Sequence, residues 1–241
     1  MLNDDKFCAF NADIINSKKM NEEQRYDAQI KIENIVEEFN LKNETTLAAK
    51  IDFSAGDQLQ ALFYNACEAY EFSCDFREKL FPIQFRFGLG IGNWSVRFPG
   101  ESTNKQDGTA YHYARNALDY IHQRNKNIAF YSDSDIDAYI NILVAQEYAI
   151  FNSQTDKQKL MFKIYKDLYP INPAIMKINN LATIYIDKGS QKVVSEKLVT
   201  SRQSVNKLLR SGSVYDQRDL QGAIILILSN VFNTEEEDKS R

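Results

Sequence analysis

The first strand is predicted from an apolar segment with one acid near its end, Lys6-Phe7-Cys8-Ala9-Phe10-Asn11-Ala12-Asp13-Ile14-Ile15. A second strand, residues 45–54, runs into the turn Ala55-Gly56-Asp57-Gln58. The helical pattern of residues 21–40 separates these strands, and the right-handed crossover of such a unit makes them parallel. We therefore expect Asp13 and Asp57 to meet at one edge of a sheet.

The segments that follow complete the order β-α-β-β-α-β, which is that of a ferredoxin-like fold. They are a strand at 59–64, a helix at 65–80 and a strand at 84–92, followed by a helix at 108–124 and a strand at 127–131. Glycines alternate along residues 84–92, which leaves one face of that strand bare for close packing or for a ligand. In the first helix one apolar face is predicted, and it consists of Tyr26, Ile30, Ile35 or Val36, and Phe39.

Composition and length predict a soluble globular protein of more than one domain, and the order of the predicted elements makes it an α+β protein. The 241 residues are 44% hydrophobic and carry a net charge of −4, which excludes a strongly basic chain but not a local basic face. Three sparse cysteines, a polar N-terminus and no long apolar run predict a cytoplasmic protein without a membrane segment. The predicted parts are a ferredoxin-like domain (1–134), a helical linker (135–170), an all-α helix-turn-helix domain (171–233) and a disordered acidic tail (234–241).

The two aspartates predict a divalent-metal site. Carboxylates of Asp13 and Asp57, with the backbone carbonyl of Ile14, are the hard oxygen ligands that Mg²⁺ or Mn²⁺ takes together with phosphate and water. The first long helix starts at the same edge, so its N-terminus, with Ser17, Lys18 and Lys19, could receive phosphates. Alternatively, Asp57 is only a turn former, and Asp13 caps the turn or pairs with Lys18.

Four blocks of the sequence resemble the SatD family of bacterial proteins and, more distantly, class III nucleotidyl cyclases. They lie at residues 11–18, 55–60, 86–92 and 107–115, within a resemblance that covers roughly residues 6–132. The resemblance to the cyclases implies that Asp13 and Asp57 hold two metal ions on a nucleoside triphosphate, with Ile14 giving a backbone carbonyl. It also implies that Arg115 stabilises developing phosphate charge.

Two positions depart from the cyclase pattern. Tyr111 stands where the cyclases carry asparagine, and Phe53 stands where they carry the base-selecting lysine, with Lys50 nearby but out of register. A nucleotide-binding sensor and an active cyclase therefore both stay open. The strand directions start the helix of Arg115 at the opposite edge from Asp13, so an Arg115 that serves this site comes from a second subunit of a homodimer. Otherwise Arg115 is an interface or surface arginine, and His122 is expected at the surface.

Residues 190–210 predict a helix-turn-helix. Val194 and Leu198 are spaced to pack against Val205 and against Leu208 or Leu209, and Ser201 is placed to cap the second helix. Residues 188–218 contain seven Lys or Arg against two acids, an excess that suits double-stranded DNA. The segment resembles the helix-turn-helix of bacterial regulators, with Val199 where glycine is usual in the turn. The residues expected to face DNA are Ser201, Arg202, Gln203, Ser204, Asn206 and Lys207.

Together these patterns predict a nucleotide-responsive DNA-binding protein. One alternative is an active two-metal nucleotidyl cyclase or nucleotidyltransferase with an accessory helix-turn-helix. Another is an interaction scaffold whose aspartates bind nothing. For the C-terminal segment alone, the alternative is a small helical bundle that makes protein contacts. A last apolar helix is predicted at Asp219–Phe232.

Overall fold

The computed structural model describes residues 6–55, 58–99, 101–171 and 190–232. Its contacts divide the chain into one unit of residues 1–141 and 230–241 and a second unit of residues 142–229. Asp57 and the predicted tail at 234–241 lie outside the described residues, as do residues 172–189 of the predicted helix-turn-helix domain.

The first unit is an α+β domain built on a mixed sheet with the strand order β2-β3-β1-β4-β5. β4 and β5 are parallel, and the other neighbouring strands are antiparallel. Because β1 and β2 are both antiparallel to β3, they run parallel to each other, as predicted from the sequence. The elements are β1 (Phe7–Ile14), α1 (Glu22–Lys42), β2 (Leu47–Ala55), β3 (Gln58–Phe63), α2 (Ala66–Leu80), β4 (Phe85–Gly92), α3 (Thr109–Arg124) and β5 (Ile128–Tyr131), which confirms the predicted order.

The two faces of β1 pack against different helices, because successive side chains of a strand point to opposite faces. Phe10, on one face, packs against Phe72 and Phe76 of α2 with ring centroids 5.1 and 6.3 Å away. Phe7 and Ala9, on the other face, belong to a buried cluster that includes residues of α3. Asn11 and Asp13 share that second face, so their side chains lie on the α3 side of the sheet.

The alternating glycines of β4 let α3 lie directly on the sheet. A Cβ atom at Gly90 would collide with backbone atoms of Ala110 and Ala114, and one at Gly92 would come within 2.5 Å of Thr109 Oγ1. The bare face expected from the sequence is therefore covered by a closely packed helix. This contact fixes the height of α3 above β1 and β4, and with it the position of every side chain that α3 presents to the sheet.

The predicted inner face of α1 is correct in its second half, where Val36 is buried and the Phe39 ring lies 4.2 Å from that of Phe72, and wrong in its first half. Tyr26 is 67% exposed and Ile30 is 40% exposed, whereas Ala28, Ile32 and Val36 are buried. The observed face repeats every four residues, so it is as regular as the predicted one. The sequence pattern contained two apolar stripes, and the stripe that includes the small Ala28 is the one that packs inward.

The second unit is helical. α4 (Ile136–Ser153) crosses the boundary between the units, and it is followed by α5 (Asp156–Leu168), α6 (Ser190–Lys197), α7 (Arg202–Ser211) and α8 (Val214–Phe232). The core joins α5, α6, α7 and the start of α8 through Met161, Phe162, Tyr165, Val194, Val205, Leu209 and Val214. The start predicted for the last helix, Asp219, is wrong, because the helix begins at Val214, whose side chain is fully buried.

A buried polar network lies within the second unit. Gln217 and Gln221 each donate an amide hydrogen to Glu147 Oε1, at 2.8 and 3.0 Å. Gln154 donates to Gln217 Oε1 at 2.8 Å, and Arg218 donates to Gln221 Oε1 at 2.7 Å. All five residues are at most 5% exposed. Buried amides and charges are tolerated when they are paired in this way, so this network holds α8 against α4 through polar contacts.

None of the helices in the described residues combines the length and apolar character needed to cross a bilayer.

Candidate functional site

Asp13 lies between an arginine and a histidine near the end of β1. His122 Nε2 is 2.9 Å from Asp13 Oδ2, and Arg86 Nη1 is 3.7 Å from Asp13 Oδ1. Arg86 reaches this position because it pairs with Asp13 across the β1–β4 ladder, and His122 reaches it because α3 runs back over the sheet. The Asp13 side chain is only 13% exposed. Its charge is thus already balanced by neighbours in the same unit.

The described residues do not by themselves make a metal site. Asp13 Oδ1 is buried and accepts no hydrogen bond, although Arg86 Nη1 lies 3.7 Å from it. No group of three His, Cys, Asp or Glu side chains suited to a metal occurs among the described residues, and Arg86 would oppose a cation beside Asp13. A metal at Asp13, Ile14 and Asp57 stays a prediction that depends on Asp57, the residue that precedes Gln58 in the chain.

A polar cavity opens on the α3 side of the sheet, and we call it the α3-face cavity. Its volume is about 450 Å³, within the range of small-molecule sites. It is lined by side chains of β1 and β3, of the loop before α3 and of α3: Asn11, Gln58, Gln60, Thr103, Asn104, Gln106, Asp107, Tyr111, His112, Arg115, Leu118, Asp119 and His122. Most of these are hydrogen-bonding groups.

The loop that roofs this cavity is tied to β2. Ser102 Oγ donates to Asp52 Oδ2 at 2.6 Å, and Asn104 Nδ2 donates to the carbonyl oxygen of Phe53 at 3.2 Å. Trp94 Nε1 donates to Gln106 Oε1 at 2.9 Å from the other side. These hydrogen bonds hold the loop in a defined position over the cavity.

Two buried hydroxyl groups of the cavity lining lack a hydrogen-bond partner. They are Thr103 Oγ1 and the phenol of Tyr111, in residues that are 1% and 8% exposed. Burial, and then the neighbouring Asp107 carboxylate, raise the pKa of Tyr111 well above its ordinary value, so the phenol keeps its proton. A buried polar group without a partner costs about 1–3 kcal/mol.

Arg115 is exposed and lines the same cavity. Within the described part of the chain its guanidinium has no ion pair or hydrogen bond. The strand direction expected from the sequence is confirmed, since Gly92 at the end of β4 pairs with Phe7 at the start of β1. α3 starts there and runs back, so His122, near its end, reaches Asp13, while Arg115 stands midway with a free cationic group.

A phosphate at Ser17, Lys18 and Lys19 would not be bound by the N-terminus of α1 in the way that the sequence predicted. These residues form a short 3-10 helix before α1, and both lysines are exposed. The N-terminus of α1 is closed by its own capping box, in which Asn21 and Gln24 bond each other's backbone, and Glu22 and Glu23 occupy the first turn. A phosphate would therefore depend on the lysines, because acids in the first turn already use the helix dipole.

A second cavity of about 370 Å³ lies beside that segment and is lined by Ile14, Ser17, Lys18, Met20, Arg25, Gln29, Ile32 and Phe53. The position matched to the base-selecting lysine of the cyclases, Phe53, is thus in an environment with Ile14 and Ile32. Two cations, Lys18 and Arg25, stand at the same cavity. This lining offers apolar contact and positive charge, and few groups that could read a base by hydrogen bonds.

In the second unit, α6 and α7 pack as expected for a helix-turn-helix. Val194 contributes to the same buried cluster as Val205 and Leu209, with Leu198 and Leu208 packed against it, which confirms the predicted pairing. Ser201 caps α7 by accepting from Ser204 N at 3.1 Å, as predicted. Val199 has a φ of 50° and is 94% exposed. This left-handed turn residue occupies the position where glycine is usual.

The side chains predicted to face DNA differ in their exposure and in the hydrogen bonds that they already make within the protein. Arg202, Gln203 and Lys207 are exposed. Gln203 and Lys207 lie opposite Val205 and Leu209, whereas Arg202 is on the same side as those two residues and is exposed at the start of the helix. Ser201 and Ser204 are joined through their hydroxyl groups at 2.9 Å. Asn206 is half-buried and accepts from Gln191 Nε2 at 3.3 Å and from Arg210 Nε at 3.2 Å. The side chains free to reach a partner are therefore mainly Arg202, Gln203 and Lys207.

The profile of the SatD family matches residues 7–218, which is most of the chain. The chain belongs to the SatD family. This agrees with the resemblance seen in the four sequence blocks. Among curated proteins, none matches the sequence.

Solved structures similar to this SatD family protein include adenylyl cyclases. CyaB from P. aeruginosa is 18% identical with a TM-score of 0.35, over 46% of this chain and 69% of that one. A bacterial light-regulated adenylyl cyclase is 16% identical with a TM-score of 0.36, over 52% and 74%. A further such structure is 16% identical with a TM-score of 0.38, over 52% and 42%. These similarities are too distant to carry an activity to this chain.

Two features of the site were missed from the sequence of this SatD family protein. His122 was expected at the surface, yet it contacts Asp13 while its side chain stays 46% exposed. The pair formed by Asn11 and Gln60, whose side chains are joined by a 2.9 Å hydrogen bond, was also not anticipated. Strand register could have found the pair, because both residues are polar positions in otherwise apolar strands.

Proposed function

We propose that this SatD family protein is a nucleotide-responsive DNA-binding protein. The observation that carries the proposal is the two-sided character of α7. One side holds Val205 and Leu209 in the core, and the opposite side presents Gln203 and Lys207 to solvent. Arg202 is exposed at the start of the helix. A helix of this kind, capped at its N-terminus after a tight turn, is suited to enter the major groove of DNA.

Arg202, Gln203 and Lys207 would divide the work on DNA by their chemistry. Arginine pairs with guanine O6 and N7, and glutamine pairs with adenine N6 and N7. Lysine supplies a point charge for the phosphate backbone. Since Asn206 is already bonded to Gln191 and Arg210, base reading would fall to the first turn of α7.

Nucleotide binding is the proposed role of the first unit. It is supported by the α3-face cavity and by the exposed Arg115, whose guanidinium has the fork geometry that phosphate oxygens accept. In a homodimer, Arg115 would act on a nucleotide held by the other subunit. Binding would then change the spacing of the paired DNA-binding units, which is a coupling between two sites.

A two-metal nucleotidyl cyclase or nucleotidyltransferase is the second candidate. It is favoured by the buried Asp13 Oδ1, which accepts no hydrogen bond. It also requires Asp57, which lies outside the described residues. A divalent-metal-dependent turnover of ATP or GTP that disappears in Asp57→Asn would favour this candidate over a sensor.

The decisive experiment measures binding of the full-length protein to a library of double-stranded DNA, with and without each nucleoside triphosphate. We expect Arg202→Ala to weaken DNA binding about tenfold or more, because it removes a base contact. Lys157→Ala, which removes an exposed cation of α5, is the matched control and should change little. A DNA affinity that is the same with and without every nucleoside triphosphate would contradict the proposed coupling. If Arg202→Ala and Lys157→Ala bound DNA with equal affinity, α7 would not be the helix that contacts the bases.

A further inference from the structure

Both outer strands of the sheet have backbone groups that are bonded by an asparagine side chain of a helix. β2 and β5 are the outer strands, so each has one side without a neighbouring strand. The N–H and C=O groups on such a side can pair with a strand of another chain. We propose that Asn40 and Asn141 close these two edges to strand addition, so that a second copy of this chain contacts the first unit through a helix or a face of the sheet.

At the β5 edge, side chains of α4 take the place of a neighbouring strand. Asn141 Oδ1 accepts from Phe130 N at 2.7 Å, and Asn141 Nδ2 donates to the carbonyl oxygen of Phe130 at 2.9 Å. These are the two bonds that a residue of an antiparallel neighbour would exchange with Phe130. Two residues further on, Ser132 N donates to Asp137 Oδ2 at 2.7 Å. Because the groups of one edge recur at every second residue, α4 occupies two successive positions of this edge.

The β2 edge has the same arrangement, built by other segments of the chain. Asn40 of α1 donates from Nδ2 to the carbonyl oxygen of Ile51 and accepts at Oδ1 from Ile51 N, both at 3.0 Å. Two residues further on, the carbonyl oxygen of Phe53 accepts from Asn104 Nδ2 at 3.2 Å, and Phe53 N donates to Asp52 Oδ1 at 2.8 Å. Side chains therefore occupy all four backbone groups of Ile51 and Phe53.

The sequence of β5 explains why its edge needs a partner from outside the strand. Outer strands are usually protected by a charged side chain or a proline, and Ile128-Ala129-Phe130-Tyr131 contains neither. Asn141 supplies the protection instead. The inference is independent of nucleotide binding and DNA binding, but it limits how the proposed homodimer can form, because a continuous sheet across two subunits is excluded.

The first test is amide hydrogen exchange of the full-length protein, followed by NMR. In the wild type we expect the amide hydrogens of Ile51 and Phe130 to exchange as slowly as those of the central strand β1. Asn141→Ala should speed exchange at Phe130 about tenfold or more, because the acceptor is lost, and leave Ile51 unchanged. Asn40→Ala should do the reverse, so each variant is the control for the other. Wild-type amides that exchange at the rate of unprotected ones would overturn the proposal.

The second test measures molar mass by light scattering over a wide range of protein concentrations. We expect Asn40→Ala and Asn141→Ala to form assemblies larger than the wild type, with the infrared signal of intermolecular β-sheet and an unchanged near-ultraviolet circular dichroism spectrum. Asn34→Ala, which changes an exposed asparagine of α1, is the matched control and should keep the wild-type mass.

Three outcomes of the second test would contradict the closure of the edges. The first is a wild-type mass for both edge variants at every concentration. The second is association only with loss of the near-ultraviolet spectrum, because unfolding would then be its cause. The third is loss of a wild-type dimer in either variant, since that dimer would depend on the edges. If a variant does not fold, hydrogen exchange of the wild type still decides the question.

Discussion

His122 Nε2 lies 2.9 Å from Asp13 Oδ2, which joins the far end of α3 to the end of β1. This contact occupies the carboxylate that the cyclase resemblance assigns to a metal ion. A cation that binds Asp13 must therefore displace His122 or share the carboxylate with it. The contact makes the metal prediction testable with a single side chain.

We expect His122→Ala to strengthen Mn²⁺ binding about twofold to fivefold, because it removes a partially exposed contact with the Asp13 carboxylate that is worth at most about 1 kcal/mol. The affinity can be measured by the paramagnetic signal of free Mn²⁺. His112→Ala is a matched control, since His112 forms a similar contact with Asp107 at 3.3 Å, and it should leave the affinity unchanged. An Mn²⁺ affinity that does not respond to His122→Ala would speak against Asp13 as a ligand.

Gly90→Ala should destabilise the first unit by about 3 kcal/mol, because the added methyl group would collide with the backbone of α3. Chemical denaturation followed by the fluorescence of Trp94, which belongs to the buried cluster beneath α3, measures this loss. Gly212→Ala is the milder comparison, since its Cβ would meet Gln158 Cγ and the carbonyl oxygen of Leu208 at 3.0 Å, whereas that of Gly90 would meet backbone atoms at 2.1 and 2.2 Å. Equal losses in the two variants would mean that α3 does not depend on the bare face of β4.

Local patterns predicted most elements of the fold. The alternating glycines predicted a close contact at β4, and the apolar spacing of Val194 and Val205 predicted the packing of α6 on α7. The face of α1 could not be predicted, because Tyr26 and Ile30 form a stripe as regular as that of Ala28 and Ile32. A periodic pattern does not state which of two stripes meets the sheet.

The candidate site was less predictable because it depends on contacts between distant segments. His122 reaches Asp13 only because α3 has the length and direction to return across the sheet. Asn11 meets Gln60 only in the register that β1 and β3 adopt. Each residue is unremarkable within its own segment, so no short motif indicates the contact.

Glu147→Ala should destabilise the second unit by about 3–5 kcal/mol, because it leaves the buried amides of Gln217 and Gln221 without their acceptor. Glu147→Gln keeps an acceptor oxygen of similar position and should cost less, about 1–2 kcal/mol. Urea denaturation followed by circular dichroism measures both. If the two variants were equally unstable, the loss would come from the charge or the packing of Glu147 rather than from these hydrogen bonds.

Val199→Gly should stabilise the second unit by about 1 kcal/mol. Val199 is a β-branched residue held at a φ of 50°, and glycine removes the strain of that left-handed conformation. Little packing is lost, because the Val199 side chain is 94% exposed. Val193→Gly is the matched control, since Val193 lies inside α6, where glycine should destabilise by about 0.5–1 kcal/mol. Opposite shifts of the melting temperature are therefore expected, and a lower melting temperature for both variants would mean that the turn is not strained.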